Sequence, residues 1–103
     1  MLETFTVETF SPYVGDKFRV FYNPTSALEL TLASAEEIGN QSAREWSRAS
    51  GRAPFTLTFA GPTEAFLPQG LYLVEHDGLD SFELFIVPLG PVGRDLHYEA
   101  IFT

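Results

Sequence analysis

The sequence predicts an all-β domain: a small antiparallel barrel or sandwich of about six strands with one or two short helical turns. Apolar residues recur mostly with period two, the spacing that puts alternate side chains on one face of a sheet. Those alternating runs are punctuated by Gly, Pro, Asn and Asp, the residues of tight turns. The chain of 103 residues has the size of one domain with one core, so residues 1–103 are read as a single unit. Closure or stacking is how such a chain buries one face and hides its edges.

The elements follow in chain order. Thr6–Gly15 breaks the period, with a cap at Thr6 and a stop at Gly15. It is read as a short helical turn whose Phe10 and Val14 plug one end of the barrel. Lys17–Tyr22 alternates, with Phe18, Val20 and Tyr22 on one face and Phe21 on the other, and Asn23-Pro24 ends it in a turn. Leu28–Ala33 places Leu28, Leu30 and Leu32 inward, with Glu29 and Thr31 outward. The polar stretch Ser34–Gly51 is poor in β-branched residues, and Ser42–Arg48 within it favours a short helix or an ordered loop.

The clearest strand is Ala53–Ala60, with Phe55, Leu57 and Phe59 inward, stopping at Gly61-Pro62. A hairpin joins Gly70–His76 to Phe82–Pro88 through Asp77–Ser81, where Asp-Gly supplies the positive φ of a tight reversal. Both of its strands are apolar on both faces. They are read as the centre of the sheet, or as a pair with one face in the core and the other under a loop or a neighbour. His97–Phe102 closes the sheet.

Composition excludes more than it identifies. Ten Phe give a short chain large rings to bury, and the lack of Cys rules out disulfides and thiolate metal sites, which fits a reducing compartment. The start, Met1–Phe5, has no basic region followed by an apolar stretch, and no segment reaches the ~18 to 20 apolar residues that cross a bilayer. A cytoplasmic protein away from membranes is expected. A formal charge of −8 opposes binding to phosphate backbones or anionic lipid, so nucleic acid is not expected as a partner.

Four stretches carry a resemblance that spans nearly the whole chain: Phe10-Ser-Pro-Tyr-Val-Gly-Asp-Lys-Phe18, Phe55-Thr-Leu-Thr-Phe-Ala-Gly-Pro62, Gln69-Gly-Leu-Tyr72 with His76, and Leu84-Phe-Ile-Val-Pro88 before Tyr98-Glu-Ala-Ile-Phe102. With these the chain resembles a family of bacterial domains of unknown function and similar length. The resemblance implies an all-β fold and brings no activity, cofactor or catalytic residue. Some such domains look like companions of phage-tail-like collar proteins.

Chemistry-bearing residues are few. His76, Asp77 and Asp80 put an imidazole and two carboxylates within one turn, a set that interests a divalent metal, yet Asp and Gly at a hairpin are also plain turn chemistry. With no second cluster, no metal and no cofactor is expected. There is no G-x-S-x-G elbow, Glu36-Glu37 reads as solvated surface, and Gly61-Pro62 and Gly90-Pro91 place Pro where a phosphate cradle needs free N–H groups. No catalytic residue is assigned and no enzyme is expected.

The segment around Trp46 says most. Arg44, Arg48 and Arg52 recur every four residues, so a helix would set them on one side and Trp46 on the other. Trp and Arg carry much of the energy at protein interfaces. Two readings stand: Trp46 caps the core while the arginines neutralise the domain's own acids, or the segment docks on an acidic face of another copy or a partner. The favoured function is a non-catalytic protein–protein interaction or assembly module, an accessory of a phage-tail-like structure where the resemblance points. A small-ligand-binding β-barrel comes second and a small enzyme third.

Overall fold

Among the residues described by the computed structural model, 5–38 and 54–102, six antiparallel strands close on themselves in the order β1-β2-β3-β6-β5-β4. They are β1 (Lys17–Asn23), β2 (Ser26–Glu37), β3 (Phe55–Pro62), β4 (Gly70–His76), β5 (Leu79–Val92) and β6 (Asp95–Phe102). The helix α1 (Val7–Phe10) and a 3-10 turn (Ser11–Tyr13) precede them. Of barrel and sandwich it is the barrel, because β1 pairs with β2 on one side and with β4 on the other.

The inner wall follows the period-two pattern. Along β3 every second residue from Phe55 to Gly61 is buried, and on β5 the buried set is Phe82, Leu84 and Ile86. Aromatic rings fill the interior, as expected for a barrel of few strands. Phe10 is wholly buried and meets five other rings, those of Phe5, Phe18, Phe55, Phe82 and Phe102, at centroid distances of 5.4 to 6.5 Å. Each such burial contributes about 1.5–3 kcal/mol. Phe10 therefore plugs one end as expected, whereas Val14 is exposed, because the 3-10 turn carries it past the rim.

The opposite end is closed by the 63–69 connection. Leu67 is buried there, and its N–H donates to the hydroxyl of the fully buried Tyr98 at 3.1 Å. At the plugged end Gly15, at φ +97°, donates its N–H to the Leu32 carbonyl at 2.8 Å, and the Asp16 carbonyl accepts the Leu32 N–H at 2.9 Å. A positive φ of that size is open to glycine and strained for a side chain. The helical turn is thereby tied to β2.

Several sequence expectations are corrected by local irregularities. Tyr22 does not join Phe18 and Val20 inside: the β1–β2 register shifts between Phe21 and Asn23, and this bulge leaves Tyr22 exposed. β2 runs on through Glu36 and Glu37, which pair with Thr56 and Phe55: Glu36 shares the outer face of Thr56, and Glu37 stays exposed at the last pair of the ladder. β5 continues past Pro88 to Val92 by a register shift between Pro88 and Gly90, with Gly90 at φ +117°. The hairpin turn is only Asp77-Gly78, and Gly78 is not among the positive-φ residues. In a closed barrel no strand is central, so the doubly apolar β4 and β5 have one face in the core and one outside.

Candidate functional site

Two places on the barrel concentrate chemistry or unspent apolar surface. The first is at the plugged end. A register shift between Val74 and His76 closes β4 with the His76 ring lying on Phe18, centroids 4.5 Å apart, and on Tyr13 at 4.6 Å. Its Nδ1 accepts the Gly78 N–H at 2.9 Å, and its Nε2 lies 2.9 Å from Asp16 Oδ2. A nitrogen that accepts an N–H carries no proton, so the tautomer that fits this geometry has its proton on Nε2, facing Asp16. Both nitrogens are engaged within the fold.

Asp77 is engaged as well. Its Oδ1 accepts from Arg19 at 3.0 Å, while Arg19 Nε lies 3.5 Å from Glu75 Oε1. The Asp77 hydrogen bond, with the attraction of both carboxylates, holds the guanidinium pKa above its ordinary value against a smaller opposing loss of hydration. His76, Asp77 and Asp80 thus serve different ends: His76 bonds Asp16, Asp77 bonds Arg19, and Asp80 is exposed on β5. Among the described residues no three His, Asp or Glu side chains gather into a metal site. His97 pairs with Ala60 and Gly90 near the far end of β6, at the opposite end of the barrel from His76.

The second place is the outer wall of β1, β4 and β5. Leu71 and Phe85 are register partners there, exposed to 61% and 50%, and Leu73 stands opposite Phe21 of β1. Tyr22 at 54% and Phe66 at 60% extend the same apolar character toward the 63–69 connection. Two clefts meet at Tyr22. One, about 390 Å³, lies between the departing end of β1 and Leu71 to Leu73, and the other, about 350 Å³, is lined by Leu28, Ala65, Phe66 and Pro68. Tyr72, partly buried against the core, lines the first cleft, and its hydroxyl donates to the Pro68 carbonyl. Loss of hydration, then the nearness of Tyr98, push the Tyr72 pKa above the ordinary 10.0.

A domain of unknown function (DUF6916) matches residues 5–102, covering every strand of the barrel. The chain belongs to that family. Nothing among curated proteins or solved structures matches it. For this DUF6916 member the candidate site therefore rests on geometry alone. The interaction residues expected from sequence, Arg44, Trp46, Arg48 and Arg52, lie outside the described residues. The outer wall of Tyr22, Phe66, Leu71 and Phe85 was not singled out in sequence, though the doubly apolar runs of β4 and β5 were its signal. Among the described residues no helix is long and apolar enough to cross a membrane.

Proposed function

We propose that this domain is a non-catalytic protein–protein interaction or assembly module, and that the outer wall of β1, β4 and β5 is its contact face. One observation carries the reading: Leu71, Leu73 and Phe85 form a contiguous apolar patch on the outside of a barrel whose inside is already filled. Clustered exposed apolar side chains on a folded surface mark contact sites, whereas singly scattered ones do not. Interface cores are rich in aromatic residues, and Phe85, Phe66 and Tyr22 supply them here.

The setting suggested by the family resemblance is an accessory role in a phage-tail-like structure. The basic segment Arg44 to Arg52 adds a second route to association, docking on an acidic face of another copy or of the partner. A small-ligand reading draws on the two clefts, whose volumes fall within the range of ligand sites. The first lies on the outer wall and the second at the barrel end closed by the 63–69 connection, and an apolar wall beside a strand edge suits a polypeptide better.

The test is recovery of a stable partner from native cell extract by the wild type and by a Leu71→Ser/Phe85→Ser double variant. The reading expects a partner bound by the wild type and lost by the variant at a nearly unchanged thermal midpoint. A partner kept by that variant and lost by Arg44→Ala/Arg48→Ala would move the contact to the basic segment.

A further inference from the structure

The β1–β4 seam is the short one of the barrel. It pairs over three positions, Arg19 to Phe21 against Leu73 to Glu75, whereas β3 and β6 pair over eight. Beyond it the strands part. The bulge at Tyr22 steers β1 toward Ser26, while β4 continues back through Tyr72 and Leu71 to Gly70, held on its other side by Leu84, Phe85 and Ile86 of β5. Between the parted ends lies the 390 Å³ cleft. In a strand, successive backbone groups point to alternate sides, so part of Gly70–Tyr72 directs N–H and C=O toward that cleft. The opening is short, about 10 Å at ~3.3 Å per residue.

Charge selects the occupant. Of the 14 acidic residues only Glu3 and Glu45 lie outside the described residues, while of the six basic ones only Lys17, Arg19 and Arg94 lie inside. Arg19 is already held by Glu75 and Asp77. The cleft is lined by Glu75 and by no cation, and Glu83 stands opposite Leu73 on β5. Pairing this wall with the same wall of a second copy would set Glu75 and Glu83 against their own likeness, which is unfavourable.

We infer that the β4 edge at Gly70–Tyr72 receives an extended strand from a partner protein, antiparallel to β4, with apolar side chains at alternate positions and flanking Lys or Arg. Main-chain bonds to β4 supply the affinity, and Leu71, Leu73, Tyr22 and Phe66 receive the alternate side chains. The acidic rim takes the flanking cations. The inference rests on the interaction reading above and adds the partner's conformation and charge.

The test is selection of a random linear-peptide library against the whole protein, followed by amide NMR with the enriched peptides. The result expected is peptides that alternate apolar residues and carry Lys or Arg, shift the amides of Gly70 to Leu73, and lose at least tenfold in affinity when alternate backbone nitrogens are methylated. Binding at Leu71 and Phe85 that tolerates N-methylation would overturn strand addition and leave the interaction face standing. Enrichment of acidic or helical peptides, peptides mapping elsewhere, or no enrichment would overturn the inference. So would a dimer of the protein itself that protects the Gly70–Tyr72 amides, which would make the occupant a second copy.

Discussion

The buried hydroxyl of Tyr98 accepts the N–H of Leu67, 31 residues away in sequence, and so fastens the loop that closes one end of the barrel. Tyr98→Phe keeps the ring and removes the acceptor, leaving a buried N–H without its bond. The variant is expected to lose about 1–3 kcal/mol in urea unfolding. Hydrogen exchange at Leu67 should accelerate while Phe59 and Leu57 stay protected.

Gly61 faces Leu30 inside the barrel, and a Cβ built on it would stand 2.5 Å from Leu30 Cδ2. Gly61→Ala is therefore expected to cost about 1–3 kcal/mol by overpacking. Shortening the neighbour in a Gly61→Ala/Leu30→Val double variant should recover part of that loss, a coupling readable in a double-mutant cycle. Strict additivity would show that the two side chains do not compete for the same space.

The His76 geometry specifies a tautomer. Under conditions where the ring is neutral, nitrogen NMR should place the proton on Nε2 and show Nδ1 as a bare acceptor of the Gly78 N–H. The ring is packed on Phe18 and Tyr13, so His76→Ala is expected to destabilise the domain by roughly 2–3 kcal/mol. A variant as stable as wild type would mean that the ring is held for some use other than folding.

Tyr72 provides a pH dependence. Its pKa is raised in the folded state by lost hydration and the nearness of Tyr98, so the folded protein holds the phenolic proton more tightly than the unfolded chain. The associated stability is fully present below the ordinary tyrosine pKa of 10.0 and is lost as pH rises through the folded value. Tyr72→Phe should therefore flatten the alkaline decline in thermal midpoint, and an ultraviolet phenolate titration should show one fewer late-ionising tyrosine.

How much of this was legible in the sequence varies by element. Phe55, Leu57 and Phe59 could be placed inward because an unbroken period of two admits one register. Phe10 was legible as a plug because a helical turn with one large ring precedes the first strand. Tyr22 was not, since a bulge inserts one residue and reverses the faces beyond it, and no residue type announces that event. Likewise the run past Pro88 required Gly90 to take a φ that sequence allows but does not demand. The outer wall was half legible: Leu71, Leu73 and Phe85 read as apolar on a second face, but a neighbour, a loop and solvent look alike from sequence.

The central claim is that the rings inside the barrel are spent on folding and that function lies on the outer wall of β1, β4 and β5. Leucine-methyl NMR of the domain bound to the partner it recovers from native extract tests this most directly. The account predicts shifts at Leu71 and Leu73 with Leu30 and Leu57 unmoved. Shifts centred on the His76 and Asp16 end, with Leu71 and Leu73 silent, would contradict it.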